Sequence, residues 1–76
     1  MNLTQDDVVA IIDGAGVSVD VSSIQPGMSL VDAGVDSLEM MNVYMAIEDK
    51  FGIKIPDEDI DELNSINNIV EYIRKL

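Results

Sequence analysis

Apolar residues in this chain recur at intervals of three and four in three separate stretches, and no strand-like alternation of useful length interrupts them. Such spacing lines side chains up along one face of a helix, so the chain is restricted to a helical fold. In the first stretch Thr4 caps a helix whose inner face is Val8, Ile11, Ile12 and Ala15. Asp6 and Asp7 fall in its first turn, where the helix dipole favours negative charge, and Gly14 and Gly16 end it. The second helix is predicted from about Ser37 to Phe51, with Asp36 as N-cap, Glu39 completing a capping box, and Gly52 as the stop. The last helix follows Ser65 and turns Ile66, Ile69, Val70, Ile73 and Leu76 inward, with Arg74 and Lys75 at the end that favours cations. Between these two, Ile53-Lys54-Ile55-Pro56 reads as an extended link, and Asp57 as the cap of a short helical turn through about Leu63.

Residues 17 to 35 read as a long loop, with turn signals at Pro26-Gly27 and a flexible point at Gly34. A loop of that length in a small domain must be packed or functional. Val17, Val21, Ile24, Met28 and Leu30 are scattered through it, which implies that it packs across the helices. The expected fold is all-α: a small antiparallel helical bundle of three main helices plus one short helix, with a long loop between the first and second helices. There is no internal repeat, and residues 1–76 read as a single domain.

Charge and composition narrow the function. The chain carries fifteen acids against four bases, a net charge of −11. Nucleic acid and anionic membrane surfaces are poor partners for such a chain, because both are bound through Lys and Arg clusters. A partner with a basic patch is the natural expectation, since opposite fields speed encounter. There is no Cys and no His, which removes the usual nucleophilic thiol, general base and zinc ligands. Met1 to Ala10 lacks the basic and apolar regions of a signal peptide, and no apolar run approaches a membrane span. A cytoplasmic protein is expected, in which the Asn2-Leu3-Thr4 sequon has no role. Asp57, Asp59 and Asp61 imitate the start of a calcium loop, but its sixth position is Glu62 instead of Gly and its twelfth Asn68 instead of Glu. Glu48 and Asp49, or Glu58 and Asp59, are adjacent in sequence and diverge on a helix, so they form no acid–base pair. No catalytic residue and no metal site is expected.

The second helix has two apolar faces. Met40, Val43, Tyr44, Ile47 and Phe51 form one stripe, the face expected in the core. Leu38, Met41 and Met45 form another, roughly opposite, and a helix in so small a bundle can rarely bury both sides. Either the long loop covers the second stripe or it is a docking surface, for which adaptable methionines rimmed by acid are well suited. Ten of the fifteen acids lie between Asp32 and Glu62, which favours docking.

Ser37 follows the cap at the first helical position, where a phosphate ester would be stabilised by the dipole. The segment Asp32-Ala33-Gly34-Val35-Asp36-Ser37-Leu38-Glu39 closely resembles the attachment motif of acyl carrier proteins. The resemblance continues through Met45-Ala46-Ile47-Glu48-Asp49-Lys50-Phe51-Gly52 and Ile55-Pro56-Asp57-Glu58. It implies a carrier, not an enzyme, with a 4′-phosphopantetheine arm on Ser37 that holds acyl groups as thioesters. It also implies that Asp36 assists the transferase, and that Leu38, Met41 and Met45, with Glu39, Glu48, Asp49 and Asp57, are recognised by partners. Those partners would be a phosphopantetheinyl transferase and loading, ketosynthase-type or acyltransferase-type enzymes with basic docking patches, meeting a monomeric carrier. Asn42, where many fatty-acid carriers have an acid, and Tyr44, in a usually aliphatic stripe, depart from the pattern and leave fatty-acid and polyketide pathways both open. The alternative is an acidic interaction module that never receives an arm.

Overall fold

Capping boxes fix where the first two helices begin. The computed structural model describes residues 3–76, so Asn2 of the sequon lies outside the described residues. Helix α1 spans Gln5–Gly14; the Thr4 hydroxyl accepts from the Asp7 N–H at 3.3 Å, and the Asp7 carboxylate accepts from the Thr4 N–H at 3.0 Å. Helix α2 spans Ser37–Phe51, capped by Asp36, and α3 spans Ile66–Arg74, capped by the Ser65 hydroxyl, which accepts from the Asn68 N–H. The predicted bounds of α2 are met at both ends. Its stop is Gly52 at φ 64°, a left-handed conformation that costs a glycine little. In α1 the helix runs through Gly14, and the left-handed residue is Gly16 at φ 84°.

Each helix contributes one face to a common core. Val8 and Ile12 come from α1, Met40, Val43 and Ile47 from α2, and Ile66, Ile69, Val70 and Ile73 from α3. Ile11 and Ala15, expected on the inner face of α1, are half-buried, as are Tyr44 and Phe51 on α2. Helix α1 is the central element and packs against both α2 and α3.

The long loop supplies the remaining wall, with Val21, Ile24, Leu30 and Val35 buried. It contains one turn of 3₁₀ helix at Val21–Ser23, capped by Asp20. Backbone bonds pin it to the far side of the molecule: the Leu30 N–H donates to the Asn64 carbonyl at 2.8 Å, and the Asn67 N–H to the Pro26 carbonyl at 3.0 Å. Met28 is the one apolar residue of the predicted set left exposed.

Two details of the sequence reading are corrected. The short helix is a 3₁₀ helix at Asp57–Glu62, and its N-cap is Pro56, with no side-chain cap bond. Asp57 is therefore inside the first turn, where it joins Glu58 and Asp59 at the favourable end of the dipole; proline's fixed φ already sets the helix entry. Leu76 lies beyond the end of α3 and is 65% exposed, because the helix stops two residues earlier and the inward face stops with it. Arg74 also does more than complement the dipole: its guanidinium donates twice to the Leu3 carbonyl, at 2.8 and 3.1 Å, and so ties the last helix to the segment before the first. Among the described residues no helix is long and apolar enough to cross a membrane, and none forms a strand.

The two apolar faces of α2 differ sharply in burial, and this yields a measurable contrast. Ile47 is fully buried, so Ile47→Ala is expected to cost about 2–5 kcal/mol of stability in urea denaturation. Met45 is 57% exposed, and Met45→Ala should stay within about 0.5 kcal/mol, the range of surface substitutions. Equal losses would show that both faces are core.

Candidate functional site

The start of α2 is built from three carboxylate-centred contacts. Asp36 has extended backbone, and its Oδ1 accepts from the Leu38 N–H at 2.8 Å. Glu39 reaches back, and its Oε1 accepts from the Asp36 N–H at 3.0 Å. The other oxygen, Oε2, accepts from both the N–H and the hydroxyl of Ser18, at 2.8 and 2.6 Å. Ser37 therefore stands between two residues whose backbone N–H groups are both held. It is exposed, at the positive end of a fifteen-residue helix.

Among the described residues, Ser37 lines none of the three best-formed grooves. Shallow grooves run between the 3₁₀ helix and α3, along Asp59, Glu62 and Tyr72, and between α1 and α2, along Ala10, Gly14, Ala46 and Lys50. Among the described residues no three carboxylates converge as a metal site would require. The chemistry such an arrangement offers is that of an accessible hydroxyl in a fixed backbone frame.

Beside Ser37 runs the exposed apolar face. Leu38 is 77% exposed, Met41 53% and Met45 57%, so the long loop leaves this stripe uncovered. The acids named from the sequence divide into two groups. Asp49 and Asp57 are exposed. Glu39 is committed to Asp36 and Ser18, and the Glu48 Oε2 accepts from the Ile55 N–H at 2.7 Å, which holds the link after α2 against the helix. Asp59 is likewise engaged, accepting from the Tyr72 hydroxyl at 2.8 Å. Partial burial pushes the Tyr44 phenol above its ordinary value, and the nearby Asp61 carboxylate adds to the shift.

The structure places Asp36 and Ser37 at the start of α2 and leaves Leu38, Met41 and Met45 exposed, whereas sequence reasoning did not anticipate the contact of Ser18. Its partner is twenty-one residues away, and no periodicity links a loop serine to a helix glutamate.

Comparison with known proteins gives concordant results. The family model described as the phosphopantetheine attachment site matches residues 10–73. The meromycolate extension acyl carrier protein of Mycobacterium leprae is 40% identical, over 100% of this chain and 70% of its own length. The acyl carrier protein of Rhodococcus erythropolis is 35% identical, over 96% of this chain and 85% of its own. Among solved structures, a chain in the crystal structure of an engineered Bradyrhizobium japonicum glycine:[carrier protein] ligase complexed with a carrier protein from Agrobacterium tumefaciens and ATP superposes with a TM-score of 0.81. It covers 95% of this chain and 97% of that one at 23% identity, a likeness of fold.

The carboxyl of Glu39 carries a testable signature. The Ser18 hydroxyl, followed by the Asp36 N–H, holds it below its ordinary value of 4.5, and burial opposes this only in part. A carboxyl depressed in the folded state adds stability above its unfolded value and loses that contribution as pH falls through the folded one. Stability tied to this group should therefore be intact above 4.5 and decline below it. In a carbon-detected NMR titration the Glu39 midpoint should lie below 4.5, and Ser18→Ala should move it up. A midpoint unchanged by that substitution would remove Ser18 as the cause.

Proposed function

Since this chain belongs to the acyl carrier protein family, whose members carry and do not catalyse, we propose that its 4′-phosphopantetheine is attached to Ser37. The observation that carries this is the position of Ser37: exposed, first in α2, with capped residues on both sides, inside the matched attachment domain. The residues fit the group. Ser37 is exposed, and the helix N-terminus favours a phosphodiester's negative charge. When attached, the arm supplies the thiol that a chain without cysteine lacks, and acyl groups ride on it as thioesters. Asp36 keeps the first turn of α2 open at Ser37, and its carboxylate stands next to the attachment point, where the transferase's metal would be met.

Biosynthetic enzymes are the family's partners. We infer that here they include a phosphopantetheinyl transferase and enzymes that load, extend or transfer the acyl group, docking on Leu38, Met41 and Met45 with basic patches that meet Asp49 and Asp57. The name of the Mycobacterium leprae relative, a meromycolate extension acyl carrier protein, supports acyl-chain extension as the pathway class. Action as a single monomeric carrier domain in the cytoplasm belongs to the same reading.

Two outcomes check this. Incubation with coenzyme A and a broad-specificity phosphopantetheinyl transferase should raise the intact mass by one arm, and Ser37→Ala should abolish the increase while leaving the helical circular dichroism unchanged. Modification of the Ala variant, or of Ser29 or Ser65 in the native chain, would refute attachment at Ser37. For docking, Met45→Ala should weaken binding to the transferase by at least ~1 kcal/mol, as truncated interface anchors do, while the fold keeps its stability. Glu48→Lys should instead lose stability as well, by about 1 kcal/mol or more, because the Ile55 N–H is left without its partner. Calorimetric titration paired with urea denaturation separates the two.

A further inference from the structure

Segment 17–19 is held from two directions at the approach to Ser37. Val17 and Val19 are half-buried against the core, and Ser18 between them is exposed. Val19 also packs closely on the end of the long loop: a Cβ at Gly34, which sits at φ 108°, would come within 3.0 Å of the Val19 Cγ1. Gly34 is three residues before Ser37. With both valines turned to the core, the Ser18 N–H and hydroxyl meet on a single oxygen of Glu39.

The consequence is a chain of contacts that ends at the attachment residue. Ser18 fixes the Glu39 carboxylate; Glu39 fixes the Asp36 N–H; the Asp36 carboxylate fixes the Leu38 N–H. Ser37 has one side-chain torsion, so the backbone from Asp36 to Leu38 decides where its hydroxyl oxygen lies. Without the Ser18 hydroxyl, Glu39 keeps its helical position but loses one of the three donors that orient its carboxylate, the backbone N–H of residue 18 staying in place. Charge-assisted hydrogen bonds of this kind are the stronger ones, so their loss is felt by the groups they orient.

We infer that Ser18 is a positioning residue for the loading of Ser37, acting through Glu39 on the turn that presents the hydroxyl. This rests on the reading of Ser37 as the attachment residue. In that transfer the Ser37 oxygen bonds to the pantetheine-side phosphorus of coenzyme A, the pyrophosphate P–O bond breaks, adenosine bisphosphate leaves, and the hydroxyl proton passes to a base of the transferase. A misplaced nucleophile slows such a step more than it weakens association, because Met41 and Met45 of the docking face lie beyond the turn that these contacts orient. The effect should therefore fall on kcat more than on KM.

The test is steady-state loading by a broad-specificity phosphopantetheinyl transferase with coenzyme A, comparing native chain, Ser18→Ala, Ser18→Thr and Ser18→Val. Ser18→Ala and Ser18→Val should each lower kcat about tenfold, the rate equivalent of one net hydrogen bond, with KM for the carrier little changed. Ser18→Thr, which restores the hydroxyl at nearly the shape of Val, should recover most of the rate. Amide exchange at Asp36 and Leu38 should quicken in the Ala and Val variants and return with Thr, a readout independent of loading. A raised KM at constant kcat would make Ser18 a contact of the transferase and overturn the inference. Equal kcat in all four chains, or equal losses in Thr and Val, would overturn it too. A native chain that took no arm at Ser37 would sink the attachment reading and this inference with it, whereas normal loading of the native chain and of Ser18→Ala would sink this inference alone.

Discussion

The register of α2 depends on where the helix begins, and the pair Asp36 and Glu39 decides that. Each satisfies a backbone donor that the helix itself cannot, so the first turn closes at Ser37 and not a residue earlier or later. Once the start is fixed, the helical period sends Met40, Val43 and Ile47 inward and Leu38, Met41 and Met45 outward. A shift of one residue would rotate the helix by about 100° and bring polar side chains to the core. The same contacts therefore define the place of Ser37, the core face and the exposed apolar face.

A chain of 76 residues has little apolar area to spare, and this one leaves an apolar face of its longest helix uncovered. The long loop makes up part of the deficit. Val21, Ile24, Leu30 and Val35 enter the core from it, and backbone bonds to Asn64 and from Asn67 fasten it where a further helix would otherwise be needed. Side chains that look like surface charge also hold the fold together. Arg74 ties α3 to Leu3, Glu48 ties the link after α2 to the helix, and Tyr72 ties α3 to Asp59 in the 3₁₀ helix.

What the sequence disclosed and what it hid follows from the range of the interactions. As caps and stops, Thr4, Asp36, Glu39, Gly52 and Ser65 act within four residues of themselves, so those roles and the bounds of α2 were readable from local pattern. The exposed stripe was readable as an imbalance, too many apolar positions for one buried face, although only the structure shows that the loop leaves it open. Asp57 misled because an acid at a helix start looks like a cap, and the proline before it had already set the entry angle. Leu76 misled because periodicity continues on paper past the point where the helix ends. Ser18 with Glu39, Glu48 with Ile55 and Arg74 with Leu3 join distant segments through single polar atoms, and nothing in a hydrophobic pattern encodes such pairs.

The division of the acids bears on how a carrier can dock and leave. Glu39, Glu48 and Asp59 are engaged within the fold, Glu39 through both carboxylate oxygens and the other two through one each, while their charge adds to the field of the molecule. Asp49, Asp57, Glu58, Asp61 and Glu62 are exposed, toward the end of α2 and beyond it. An acidic surface of this kind steers a basic partner over distances of about a Debye length, roughly 8–10 Å at ordinary salt, and so acts on the rate of encounter. The apolar contact that follows is small: three side chains on one helix cover far less than the roughly 1,600 Å² of a standard stable interface. Fast arrival combined with a small apolar contact gives complexes that form readily and come apart readily. On the docking proposed for Leu38, Met41 and Met45, that suits a carrier whose cargo must pass to one enzyme after another, and it would account for an open apolar face that a protein selected only for stability would cover.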